Sequence, residues 1–462
     1  MTDRVVALPT ADTGGPAVGG AWPVSLARNS AARFIADSAG LAFGMVAGVI
    51  AARWLGPGGK GLFSSLTFLA SLVMQLSSLG LGDAAVVLVG QRRATLQEAL
   101  SVTLFTTLCS ALLGTAILWS AAVVAFGDDW DRARFAAVIA CAGLPLSVLA
   151  YVLGSLLAAG ERIVAESVVA GSTSAMTTLG MLLFVGALPL SLPGAVLATV
   201  LGAGIGLLLA AALLKRVGLS LRPRAEWGYL RAALRYGVPV EASHLVTLMF
   251  LRVDVLVVYS LAGAEGAGQY SVALTVAGLV GLLPMAISHA TFPRTANLEE
   301  HEANQLTVRA FRFALIAAVA SSLLLAATIP FAVPALFGRT FRPAVAPAML
   351  LLAGSIVWSS QWLLCRAAAA RGRPGLLLSS FTVGLIVMVA LDWALVPRLG
   401  LVGAALGSAA GPAVGLAICL RAYHRGPWWP LPLGQLFPRG ADLRALTIQS
   451  FRVLRDQQRR VS

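Results

Sequence analysis

Apolar residues fill this chain in long blocks rather than in alternating or one-sided patterns. Runs of 18 or more recur from about residue 31 to residue 420, separated by short polar segments. A run of that length crosses a hydrocarbon layer of about 30 Å as an α-helix rising 1.5 Å per residue. The blocks predict twelve spans, at about 31–53, 62–88, 98–126, 133–158, 163–187, 194–214, 237–261, 268–292, 310–336, 344–365, 375–396 and 400–420. The third and ninth are long enough to tilt or to project beyond the bilayer.

One stretch occurs twice. Arg53–Gln91 and Leu251–Asn297 align without gaps through a glycine turn and the helix after it. Gly56 pairs with Gly263, Gly61 with Gly268, Phe63 with Tyr270 and Ser64 with Ser271. Self-similarity of this kind predicts two copies of one unit. Six spans per copy is an even number, so both copies enter from the same side, as a parallel repeat about an axis along the membrane normal. The expected layout is a disordered tail over 1–30, a six-helix bundle over 31–214, a basic linker over 215–236, a second bundle over 237–420 and a basic tail over 421–462. Within that last tail, residues 441–456 suit an amphipathic helix on anionic lipid.

Composition excludes a soluble protein: only 12% of residues are charged and mean hydropathy is +0.84. The net charge of +14 does not indicate nucleic acid, because the basic residues sit in short clusters between apolar blocks. With the N-terminus inside, 26 of the 34 Lys and Arg fall on the inner side and 7 on the outer. Both termini are then cytoplasmic. The outer loops are short, which leaves no room for an extracytoplasmic catalytic domain.

The candidate chemistry lies within the spans, where charge is costly and by default functional. The seventh span carries Glu241, His244, Arg252 and Asp254. Glu241 and Arg252, eleven positions apart, return to nearly one helical face, with His244 close to it; Asp254 points the opposite way. Asp37, Asp83, His289 and Asp392 lie in the first, second, eighth and eleventh spans. The set reads as a polar cavity between the halves. Substrate-binding candidates are Arg252, Asp254, Glu241, His244 and Asp37, and ion-coupling candidates are Asp37, Asp83, Asp254 and Asp392. No cofactor is expected beyond a Na+ or H+ gradient. No metal cluster is apparent in the spacing. The glycine run Gly56–Gly61 lacks the spacing and the Ser/Thr of a phosphate loop. The four cysteines fall in apolar spans, without metal-ligand spacing or a disulfide pattern.

Several of these segments, in order, resemble the polysaccharide (Wzx-type) flippases of the multidrug/oligosaccharidyl-lipid/polysaccharide (MOP) exporter superfamily. The segments are Arg53–Pro57 through Gly61–Phe63, Arg252–Asp254, Gly268–Ala273, Phe292–Arg294, Leu336–Gly338, Gly372–Pro374 and Leu399–Ala405. The resemblance covers about residues 30–420. It implies an all-α membrane protein of V-shaped six-helix bundles (MATE/MOP-like) working by alternating access in the bacterial inner membrane. The implied substrate is a polyprenyl-diphosphate-linked oligosaccharide bound for O-antigen, capsule or exopolysaccharide. Membrane lipids, a polysaccharide polymerase and a chain-length regulator are the implied partners. A multidrug or cation antiporter is the alternative within this fold. A membrane polymerase or ligase is the alternative as an enzyme, and the short outer loops weigh against it.

Overall fold

A computed structural model describes residues 24–224, 226–425 and 436, with residues 24–37 as backbone only. Residues 1–23 of the expected tail, the Asp37 side chain and the 441–456 helix lie outside the described residues, whereas residues 24–30, expected as disordered tail, are the start of a helix. Among the described residues the chain is helical, without strands. The helices are α1 (Val24–Ser78), α2 (Leu81–Gly90), α3 (Leu96–Ala125), α4 (Trp130–Ala159), α5 (Ile163–Met181) and α6 (Ser191–Arg216), followed by α7 (Trp227–Ala277), α8 (Leu282–Asn297), α9 (Glu300–Phe337), α10 (Val345–Ala370), α11 (Gly375–Leu399) and α12 (Leu401–Arg425).

Ten continuous helical segments are long and apolar enough to cross a membrane, against the twelve spans expected. The difference lies in α1 and α7. The first and second expected spans run together as one helical segment, and so do the seventh and eighth. Each is broken at a single glycine: Gly56 (φ 66°, ψ −179°) and Gly263 (φ 71°, ψ −177°). These are the two glycines paired by the sequence repeat, so the duplication is also a duplication of backbone conformation. A side chain at such a φ is strained, which is why the unit needs glycine there. Pro57 follows the first break, at a position where a helix start tolerates its missing N–H.

Helices α1–α6 pack mainly among themselves, as do α7–α12, and α1 against α7 forms the main seam between the two bundles. One apolar core straddles this seam. It joins Ala47, Ile50, Leu66 and Val73 to Val255, Val258, Tyr270 and Val276. Backbones meet closely in it: a Cβ on Gly61 would strike the Ala264 carbonyl, and one on Gly268 the Pro57 carbonyl. Small residues allow such approach where lipid supplies no hydrophobic drive between helices.

The linker is shorter than the sequence suggests, because α7 begins at Trp227 rather than near residue 237. Its first turns bury Tyr229 and Ala233 in an apolar core with Leu81, Ala84, Leu88 and Leu100 of the first bundle. The second bundle's first helix therefore starts inside the packing of its neighbour.

Three of the four cysteines are buried, and Cys109 is exposed. Cys365 and Cys419, 54 positions apart, bring their sulfurs to 3.1 Å between α10 and α12.

Candidate functional site

The charged residues singled out from the sequence separate into three groups along the seam and within the second bundle. At one end of the seam, contacts pin the bundles together. Arg53, ending the apolar run before Gly56, donates from Nε to the Leu336 carbonyl at 2.6 Å and from its terminal nitrogen to the Ala335 carbonyl. A cation at the C-terminal end of α9 also meets the negative end of that helix. Tyr259 of α7 reciprocates, donating to Asp129 of the first bundle at 2.9 Å. The Tyr259 ring packs edge-on against Phe126, with centroids 5.3 Å apart.

Between this end and the next group lie two cations, one from each bundle. Lys60, in α1 just past the glycine break, is only 7% exposed, and its ammonium sits 5.4 Å from the Phe63 ring centroid. Arg252 of α7 is exposed and near enough for the two charges to interact. The described ion pairs join Arg132 to Asp129, Arg134 to Asp131 and His244 to Asp83, and include neither cation. A buried ammonium within electrostatic range of a second cation is costly, and an anion bound between them would offset that cost. The sequence reading missed Lys60 because a residue beside a glycine turn reads as a loop charge.

Asp254, two positions past Arg252 and so on the opposite face of α7, turns into the second bundle. It accepts from Ser408 at 2.9 Å, from Tyr270 at 3.0 Å and from the Val255 backbone N–H at 2.9 Å. Tyr270 Oη and Ser408 Oγ are themselves 2.8 Å apart. Asp392 of α11 is fully buried, and neither of its oxygens has a hydrogen-bond partner among the described residues. It is near enough to Asp254 for their charges to interact. Gly407 makes room for it, since a Cβ there would collide with the Asp392 carboxylate. Two neighbouring buried carboxylates, one of them unpaired, form a site that calls for a cation or a proton.

The third group lies at the far end of the seam. Glu241 is 6% exposed and accepts from Ser78 at 2.8 Å. His244 Nδ1 is 3.6 Å from Asp83 Oδ2, and both side chains are about half-exposed. Glu241 and Arg252 share a helix face, as the sequence indicated, but their surroundings differ. One is buried against the first bundle, and the other is open.

This is a multi-pass membrane protein with the fold of MOP-superfamily transporters. It resembles the lipid II flippase MurJ in an inward closed conformation, with a TM-score of 0.73 at 14% identity over 89% of each chain. It resembles an inward-facing multidrug-resistance MATE transporter with a TM-score of 0.70 at 18% identity, covering 82% of this chain and 92% of the other. A MOP-superfamily transporter from Pyrococcus furiosus matches with a TM-score of 0.59 at 17% identity, over 86% of this chain and 93% of that one. No curated protein matches the chain. The family model "Polysaccharide biosynthesis protein" matches residues 26–299, and the chain belongs to that family.

Proposed function

We propose that the chain flips a polyprenyl-diphosphate-linked oligosaccharide from the inner to the outer leaflet of the bacterial inner membrane, by alternating access. The reading is carried by Lys60 and Arg252, two cations contributed by different bundles at one seam and included in no ion pair among the described residues, although Asp254 is near enough to Arg252 for their charges to interact. A diphosphate spans two cationic contacts, and bound between the bundles it would favour the state in which they meet. Family membership in polysaccharide biosynthesis and the fold shared with a lipid flippase support the substrate class. The Asp254–Asp392 pair would bind the H+ or Na+ whose gradient resets the cycle.

The test is the leaflet distribution of lipid-linked oligosaccharide in a strain lacking this gene. Trapping on the inner leaflet, relieved by the wild-type gene but not by Lys60→Ala or Arg252→Ala, is the expected result. Normal distribution in the deletion strain, with no related gene substituting, overturns the reading and returns weight to drug or cation antiport.

A further inference from the structure

The far end of the seam brings one side chain of α2 to two neighbouring side chains of α7. Glu241 and His244 stand three positions apart on α7, a Glu-x-x-His pair that projects on one side of a helix. Helical bundles use this pair to hold metal ions. Asp83 comes from α2, in the other bundle. One oxygen of each carboxylate and a ring nitrogen of His244 lie within 4.8 Å of one another. Three ligands around a first-row divalent ion, each about 2.0–2.2 Å from it, span comparable mutual distances.

Two further observations point to a ligand. Glu241 is 6% exposed and accepts from Ser78, with the Gln75 side chain also alongside, while its Oε1 has no partner within hydrogen-bond distance among the described residues. His244 Nδ1, 3.6 Å from Asp83 Oδ2, likewise has no partner within hydrogen-bond distance among the described residues. The Ser78 hydroxyl fixes the Glu241 carboxylate as outer-shell groups do for metal ligands. The local backbone is also committed to this approach. Leu79 (φ 52°) and Gly80 (φ 65°) both occupy the left-handed region, which is strained for leucine. The bend separates α1 from α2, and Gly80 lies so near Gly237 that a Cβ would strike its carbonyl. Asp83 follows one turn later.

We infer that Asp83, Glu241 and His244 form a binding site for a divalent transition metal of the Zn2+ or Mn2+ type. The donor set, one imidazole and two carboxylates, suits such ions, and the half-exposed His244 and Asp83 leave an entry path with room for water ligands. Because α2 and α7 belong to different bundles, the ion bridges the seam and holds this end closed. Occupancy opposes any transport step that separates α2 from α7. This latch is independent of the cargo and stands whether or not the flippase reading does.

The full-length protein, purified metal-free in detergent, is titrated with Zn2+ and with Mn2+, with Mg2+ as control. Metal content and thermal unfolding are the readouts. One bound Zn2+ or Mn2+ per chain and a rise in Tm are expected. Asp83→Asn and His244→Ala should weaken affinity at least about tenfold and abolish the Tm rise, and Ser78→Ala should weaken it less. Elution volume and helicity establish that each variant is folded; should one fail, the remaining variants decide. No binding of either ion, or binding unchanged in the folded variants, overturns the inference. Zn2+ that stays bound to the triad variants belongs to another site and counts against it.

Discussion

Gly61 and Gly268 cross at the seam so closely that a Cβ on either would penetrate backbone of the opposite bundle. They are the residues that the sequence repeat pairs, so the two copies of the unit meet at their own equivalent positions. Relief requires moving backbone rather than a flexible side chain. We expect Gly268→Ala and Gly61→Ala each to destabilise this packed arrangement by about 1–3 kcal/mol. Thermal unfolding in detergent checks this. An unchanged Tm for both would mean that the crossing is not held in solution.

Arg53 and Tyr259 tie opposite bundles at one end of the seam through the Leu336 and Asp129 contacts. Removing both with Arg53→Ala and Tyr259→Phe forfeits hydrogen bonds of about 1 kcal/mol each, more where a charge is involved. The population should shift toward arrangements open at this end. A cysteine introduced at Leu336 should then react faster with a membrane-impermeant thiol reagent than in the otherwise wild-type chain, after correction for the exposed Cys109.

Asp392 has no hydrogen-bond partner among the described residues and lies fully buried, within electrostatic range of Asp254. An amide relieves the electrostatic cost of that burial. Asp392→Asn is therefore expected to raise the Tm of the metal-free and substrate-free protein while abolishing ion-driven transport. Ser408→Ala, which removes a bond to Asp254, should lower Tm by the equivalent of about 1–2 kcal/mol. A fall in Tm for Asp392→Asn would show that the carboxylate has a native partner.

Lys60 and Arg252 differ in what a conservative change should do. Arg252→Lys keeps a charge but loses the planar fork that grips phosphate at two points, so partial transport is expected. Lys60→Met keeps most of the buried stem and removes the charge. Its Tm should hold or rise, while affinity for a polyprenyl diphosphate in nanodiscs should fall about tenfold or more. Equal affinity in Lys60→Met and wild type would remove Lys60 from the site.

Much of the architecture was legible in the sequence because membrane helices satisfy their backbone hydrogen bonds within each segment. Long apolar blocks thus gave the helical class, and the paired Gly56 and Gly263 gave the repeat. Helix ends were less visible. The start of α7 at Trp227 depends on Tyr229 and Ala233 burying in the first bundle, a contact that no local pattern encodes. Sequence reading also placed Arg252, Asp254, Glu241 and His244 in one cavity-lining set. The structure gives Asp254 to a network inside the second bundle and leaves Arg252 exposed.

By itself, then, the sequence determined that this chain is a duplicated helical membrane protein with costly charges in its spans. Hydrophobicity and glycine backbone freedom are local properties, and they are written residue by residue. Which charges meet was decided only by the tertiary structure. Lys60 comes within electrostatic range of Arg252, Asp392 within range of Asp254, and Asp83 meets Glu241 and His244, across 138 to 192 positions of chain. Such pairings depend on the rotation and crossing of whole helices, set by how small residues along the seam let backbones approach.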